Sequence, residues 1–182
     1  MPAAIHRIGD FVLRWGESLR WDDVRQRLYF VDCARKTLHW LEGGEPPLHT
    51  LRLESLPTGV VLTDGRELVV CLDGGLHVVD PDAGTSEVLA PYPDGMYGRA
   101  NDANADASGN LVTGTGLDRL LDLPMPNPSD VAFGGRRLDR LFVTSIAFDL
   151  GDGIAPPPEA GWLLALDDVG AVGRPEFRFS LR

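Results

Sequence analysis

Residues 19–32 read LRWDDVRQRLYFVD: an apolar run, a turn of charged and polar residues, and a second apolar run. Apolar runs of this length joined by a short polar turn are typical of β-hairpins. The same order of residues returns in VVLTDGRELVVCLD (60–73), ANADASGNLVTGTG (103–116) and VAFGGRRLDRLFVTS (131–145). The sequence therefore predicts four hairpins with one shared pattern.

Each predicted hairpin is followed by one more strand-like run. These runs are LHWLEG from Leu38, LHVVDPDAG from Leu76, RLLDLP from Arg119 and WLLALDDVG from Trp162. The repeated unit is therefore about four short strands, which is the content of a propeller blade.

The spacing of the units supports this interpretation. The leucines that open the second strand of each hairpin are Leu28, Leu68, Leu111 and Leu141. The first two intervals between them match the repeat of propeller blades, which is roughly 40–50 residues, and a regular period favours a propeller over a β-sandwich or an open meander. The third interval, from Leu111 to Leu141, is clearly shorter, so we place an anomalous junction near positions 115–120.

Composition limits the fold class. The chain has 182 residues, of which 21 are glycine and 14 are proline, while 43% are apolar and 24% charged. Glycine and proline break helices, so this content excludes a helical bundle and favours short strands between turns. The apolar fraction excludes a disordered chain, and the length fits one domain over residues 1–182.

Charge and cysteine content exclude several function classes. A net charge of −10 repels phosphate backbones and anionic membrane surfaces, so we expect no nucleic-acid or membrane partner. Cys33 and Cys71 each lie in an apolar run, which favours free buried thiols over a disulfide. The opening segment MPAAIHRIGDFVLRW lacks an apolar stretch of signal-peptide length, and no segment is long and apolar enough to span a membrane, so we expect a cytoplasmic protein.

Two short segments carry residues suited to chemistry. In WGESLRWD (15–22), Glu17 directly precedes an apolar strand, and the inner strand of a blade begins at the central channel. In YGRANDANADASGN (97–110), Arg99, Asn101 and Asp102 lie close together. Carboxylate and amide oxygens bind hard cations, and an arginine can hold hydroxyl or carboxylate groups of a substrate. The alternatives are a solvated Glu17, a turn capped by the Asn–Asp pair, and an arginine paired with a neighbouring acid.

Other signatures of catalysis are absent from the sequence. It contains no G-x-S-x-G, C-x-x-C or H-E-x-x-H motif and no glycine loop that would cradle phosphate. The four histidines have no partner at metal-ligand spacing, so we expect solvated or packed side chains at His6, His39, His49 and His77.

Several motifs in order resemble one family. GESLRWD with RLYFVD, RANDA with DASGN, PSDVAFGG with LDRLFVTS, and GWLLAL with PEFRF resemble the gluconolactonase/senescence marker protein (regucalcin-like) family from residue 16 to residue 179. The resemblance implies a six-bladed propeller that hydrolyses sugar lactones with a divalent metal, calcium or zinc. It also implies that Glu17 is a metal ligand and that Arg99 and Asn101 contact the substrate.

The chain departs from that family in its middle. The family's N-G-[LI]-x-[WF]-S-P-D-G motif and the P-D-G-x-x-x-D segment that follows it have no counterpart at the short interval. In the family these supply an asparagine ligand and an aspartate that is both ligand and general base. About four blades' worth of sequence remain. Asp130, at the start of an inner strand, is the one candidate replacement base that blade geometry suggests, and a role in a turn or at a strand edge is the favoured alternative.

Two hypotheses follow for function. The first is a metal-dependent sugar-lactone hydrolase impaired by the loss of central blades. The second is a propeller remnant that binds a metal or a sugar acid without turnover; a protein-interaction propeller has less support. Four blades can close into a ring, or they can form an open arc that self-associates through strand edges, and sedimentation would distinguish the two.

Overall fold

The computed structural model describes residues 3–92, 123–148 and 155–181, and these ranges contain β-strands and no helix. The strands are β1 (Ala4–Arg7), β2 (Gly16–Asp22), β3 (Arg27–Asp32), β4 (Thr37–Glu42), β5 (Glu45–Arg52), β6 (Gly59–Leu62), β7 (Leu68–Leu72), β8 (Gly75–Asp80), β9 (Thr85–Pro91), β10 (Pro128–Gly134), β11 (Arg140–Ser145) and β12 (Leu164–Asp167).

The described strands form three antiparallel sheets of four strands each. We call β2-β3-β4-β5 blade 1, β6-β7-β8-β9 blade 2, and β1-β12-β11-β10 the closing blade. Apart from β1, the strands of each sheet pair with their neighbours in the chain, as in propeller blades, so the all-β prediction of four-stranded antiparallel units is confirmed.

Three of the four predicted hairpins lie in the described residues. They correspond to β2–β3, β6–β7 and β10–β11, and the third strand predicted after each is β4, β8 or β12. The hairpin predicted at 103–116 and the junction predicted near 115–120 lie outside the described residues.

The N-terminal strand β1 was not expected from the sequence. It pairs with β12, from Ala4 opposite Asp167 to Arg7 opposite Leu164, and so adds the outermost strand to the closing blade. The sheet thereby joins residues near the two ends of the chain. This pairing fixes the closing blade next to the start of blade 1.

Blade 1 lies between the other two blades. Its innermost strand, β2, packs against both β10 of the closing blade and β6 of blade 2. Strand β3 is consequently buried on both faces: Tyr29 and Val31 belong to the core shared with blade 2, while Leu28 and Phe30 belong to the core shared with the closing blade. The continuous apolar run RLYFVD reflects this two-sided burial rather than a half-exposed strand.

Two aromatic rings form the centre of the contact between blade 1 and the closing blade. Trp21 of β2 and Phe142 of β11 are fully buried and stacked, with centroids 6.1 Å apart and an interplanar angle of 11°. Gly134 of β10 lies against both rings, and a Cβ there would be 2.8 Å from each. Only glycine allows β10 to approach the rings this closely.

The C-terminal tail returns across blades 1 and 2. Phe179 forms a parallel bridge with Thr63, directly after β6. The guanidinium of Arg178 pairs with Asp22 at 2.7 Å and Asp23 at 2.6 Å. The tail therefore ties the closing blade to the turns at the far ends of β2 and β6.

The outer strands differ in what they expose. Strand β9 presents Val88 and Leu89, which are 65% and 41% exposed, whereas β5 carries the adjacent residues Pro46 and Pro47. Prolines protect a strand edge against pairing, and β9 has none before its last residue. Self-association through blade edges stays a prediction.

The parts of the chain that the structure describes contain no helix long and apolar enough to cross a membrane.

Candidate functional site

A buried carboxylate fixes the segment that leads into β2. The side chain of Asp32, at the end of β3, is fully buried and accepts hydrogen bonds from the backbone N–H groups of Arg14 (2.7 Å) and Trp15 (3.2 Å). It also accepts a hydrogen bond from the backbone N–H of Arg35 at 3.1 Å and forms an ion pair with the Arg35 guanidinium at 3.0 Å. Because charge-assisted hydrogen bonds are short and strong, they hold the backbone just before β2 in one place.

Glu17, the predicted metal ligand, lies two residues after Trp15 in the chain. Glu17 is half-buried at the start of β2, and its Oε1 accepts a hydrogen bond of 3.1 Å from the indole Nε1 of Trp15. The Trp15 ring meets Phe148 edge to face, with centroids 5.5 Å apart. The carboxylate is therefore held by a ring that is itself packed, at the end of the inner strand that was predicted to open on the channel.

Directly after Glu17, β2 has a bulge. Ser18 has a positive φ of 54°, and the β2–β3 register shifts between Glu17 and Arg20. The hydroxyl oxygen of Ser18 accepts the backbone N–H of Val60 in β6 at 2.7 Å. Bulges redirect side chains at functional sites, and this one lets β2 bond to its neighbouring inner strand.

On the other side, Asp130 connects β10 to the same bulge. Its Oδ2 accepts the backbone N–H of Leu19 at 2.7 Å, and its Oδ1 accepts the N–H of Val131 at 2.7 Å. The guanidinium of Arg20, which is 3% exposed, lies 3.9 Å from the same carboxylate and donates to the Leu19 carbonyl at 2.6 Å. These contacts join the first and closing blades around an ion pair between the buried Arg20 and the partly buried Asp130.

The structure thus places Glu17 and Asp130 at the starts of two inner strands that contact each other. Arg99, Asn101 and Asp102, the predicted substrate-contacting cluster, lie outside the described residues. The roles assigned to all of these residues stay predictions.

The donor chemistry of Glu17 suits a hard divalent cation, which prefers oxygen ligands. Among residues 3–92, 123–148 and 155–181, no group of three or more His, Cys, Asp or Glu side chains is arranged to hold a metal ion. Glu17 therefore fits as one oxygen ligand, and the others would come from water or from the rest of the chain.

The histidines and cysteines of the described residues have structural surroundings. His39 is buried between Thr37 and Thr50, 2.8 and 2.9 Å from its ring nitrogens, and burial lowers its pKa to about 4. His77 lies 3.1 Å from Glu54. Cys33 and Cys71 are buried and are not joined in a disulfide, as predicted.

Comparison with known proteins agrees with the architecture. A family model described as the SMP-30/gluconolactonase/LRE-like region matches residues 15–119, more than half of the chain. The chain belongs to this family. The match begins at Trp15, the residue that bonds Glu17, and includes Arg99 and Asn101.

Two sequence relatives are similar to parts of this chain. Pentonolactonase XacC of Haloferax volcanii is 47% identical over 75 residues, which cover 38% of this chain and 25% of that protein. YvrE of Bacillus subtilis is 28% identical over 101 residues, covering 55% of this chain and 35% of that protein. The chain thus spans between a quarter and about a third of the length of these relatives.

A solved structure shows the same family fold. A calcium-binding protein, regucalcin, from Agrobacterium tumefaciens aligns with a TM-score of 0.69 and 14% identity, covering 99% of this chain and 98% of that chain. At this identity the similarity establishes the propeller-type fold and not the activity.

Sequence reasoning missed three residues of the site: Trp15, Ser18 and Arg20. The quoted segment WGESLRWD contains all of them, but only Glu17 carries a familiar ligand chemistry. An arginine inside the apolar run LRW was the available signal, because a buried charge needs a partner.

Proposed function

We propose that this chain acts on small sugar lactones, as a hydrolase of the lactone ester bond that depends on a divalent cation, Ca²⁺ or Zn²⁺. The observation that carries the proposal is the family match over residues 15–119, which includes Glu17, Arg99 and Asn101. The name pentonolactonase of the Haloferax volcanii relative supports a sugar lactone as the substrate class.

In this reaction water adds to the ring carbonyl, the ring C–O bond breaks, and the ring oxygen takes a proton to give an open hydroxy acid. Glu17 is proposed to contribute one carboxylate oxygen to the cation, and Arg99 and Asn101 to hold the sugar hydroxyls. A bound divalent cation would polarise the ring carbonyl. At neutral pH the product acid ionises, so each turnover releases one proton.

A second function, binding without turnover, is favoured by one observation. Asp130, the candidate base, has both carboxylate oxygens engaged by backbone N–H groups and lies near the Arg20 guanidinium. A general base must reach the water that it deprotonates. With its contacts directed into the contact between β2 and β10, Asp130 supports a structural role, and we propose that hydrolysis is weak because Asp130 does not serve as the base.

The test is proton release from aldonolactones of five and six carbons, followed with a pH indicator in weak buffer. Hydrolysis predicts a rate above the spontaneous rate for the wild type and a fall to background for Glu17→Gln, which keeps the size of the side chain and removes its charge. Val24→Ala, at an exposed turn position, is the control and should keep the wild-type rate.

The two functions give different results in that assay. If the wild type does not exceed the spontaneous rate, the hydrolase proposal is wrong. Thermal stabilisation of the wild type by the open sugar acid or by the cation, again absent in Glu17→Gln, would then support the binding function.

A further inference from the structure

Trp15 has contacts that a simple packing residue does not need. Its indole N–H donates a hydrogen bond of 3.1 Å to the carboxylate of Glu17, two residues further along the chain. Side chains at positions i and i+2 of a strand share a face, so the indole and carboxylate lie side by side. The ring is thus directed at the carboxylate that we propose as a cation ligand.

The Trp15 backbone is fixed from three directions. Its N–H donates to the buried Asp32 carboxylate at 3.2 Å, and its carbonyl accepts the N–H of Cys33 at 2.9 Å. It also forms an isolated antiparallel bridge with Ile146 of the closing blade. Because the closing blade and blade 1 both hold this residue, the direction of the indole depends on the joint between the two blades.

The ring itself has limited freedom. Phe148 packs edge to face against it, with an interplanar angle of 67°, and Trp15 is partly buried beside the core shared by blades 1 and 2. An aromatic donor fixed in this way imposes a single direction on the carboxylate that it bonds. A flexible glutamate would otherwise lose rotamer freedom when it binds a ligand.

We propose that Trp15 is a positioning residue for Glu17: its indole N–H orients the carboxylate, and this sets the affinity of the site for a divalent cation. The inference rests on the proposed role of Glu17 as a cation ligand. Partners that bond to metal ligands typically change metal affinity by about 10–100-fold when they are removed. Trp15 also becomes an optical reporter, because a cation at Glu17 would change the electric field across the adjacent indole.

The experiment titrates the full chain with Ca²⁺ and, separately, Zn²⁺, by calorimetry and by tryptophan emission. Trp15→Phe keeps a ring against Phe148 and removes the N–H donor. Trp162→Phe is the matched control, since Trp162 lies just before β12 of the closing blade with the Arg7 guanidinium over its ring. Phe148→Leu keeps the donor and loosens the ring, and thermal unfolding of each variant reports its folding.

We expect Trp15→Phe to bind the cation about 10–100-fold more weakly and to lose the emission change, with Phe148→Leu intermediate and Trp162→Phe like the wild type. Cation affinity of Trp15→Phe within twofold of the wild type, while Glu17→Gln binds at least tenfold more weakly, would overturn the role of Trp15 alone. Equal binding by Glu17→Gln and the wild type, or no binding by the wild type, would overturn the proposed cation site and with it the assignment of Trp15.

Discussion

Substitution of Gly134 by alanine tests the joint between blade 1 and the closing blade. The added Cβ would lie 2.8 Å from Phe142 Cε2 and 2.8 Å from two atoms of the Trp21 ring, closer than carbon atoms normally approach. Both rings are fully buried and stacked, so neither can move without disturbing the core. Overpacking of this kind costs about 1–3 kcal/mol, which for a chain of this size lowers the Tm by roughly 2–12 °C.

The assay is urea unfolding followed by tryptophan emission, with Phe142→Leu in a double-mutant cycle. The smaller leucine should make room for the new methyl group, so the double variant should be at least about 1 kcal/mol more stable than the sum of the single effects predicts. Surface substitutions usually change the free energy of unfolding by less than about 0.5 kcal/mol. A change that small for Gly134→Ala would refute the direct stacking of the two blades.

Three further predictions concern stability and activity. Because burial lowers the pKa of His39 to about 4, the unfolded chain binds a proton before the folded chain does. The free energy of unfolding of the wild type should therefore fall by at most about 3 kcal/mol from this group as the pH falls from 6.5 to 4. In urea unfolding, His39→Gln should not show this part of the decrease. Arg178→Ala removes the tail's ion pairs with Asp22 and Asp23 and should lower the free energy of unfolding by about 1–3 kcal/mol. Arg137→Ala, which removes an exposed ion pair, should lower it by less than about 0.5 kcal/mol, and equal effects of the two substitutions would contradict a stabilising role of the tail. Glu17→Gln should abolish lactone opening at unchanged Tm, and a rate equal to that of the wild type would exclude Glu17 from the site.

The effect of Arg178 also has a pH dependence. Burial pushes the pKa of Asp22 upward, but hydrogen bonds from Arg178 and Arg25 outweigh it, and the pKa is lowered. The stabilisation by this carboxylate is therefore present at neutral pH and is lost as the pH falls below its ordinary value of 3.8. The difference between Arg178→Ala and the wild type should shrink in that range.

The blades could be predicted because their signal is local. Alternating or continuous apolar runs and charged turns, repeated at the spacing of propeller blades, define β2–β4, β6–β8 and β10–β12, and each depends on neighbouring residues only. Strand β1 was missed because AIHR is short and half-buried, and what makes it a strand is its partner β12, near the other end of the chain. The tail pairing of Phe179 with Thr63 was missed for the same reason.

The site was only partly predictable. Glu17 could be named because a carboxylate before an apolar strand has a recognisable chemistry. The bulge at Ser18 could not, since a positive φ at serine leaves no mark in the sequence, and neither could the bond from Trp15, which depends on the direction of two side chains. Asp130 was placed correctly at the start of an inner strand, but its bonds to Leu19 and Val131 are set by the meeting of two blades.

Cation-dependent hydrolysis at Glu17 is tested most directly by the initial rate of aldonolactone opening by the full chain before chelation, after removal of divalent cations, and after Ca²⁺ or Zn²⁺ is restored. The wild-type rate should exceed the spontaneous rate, fall to background on chelation and return with one of the two cations, and it should not return in Glu17→Gln. A rate that chelation leaves unchanged, or that Glu17→Gln retains, would contradict it.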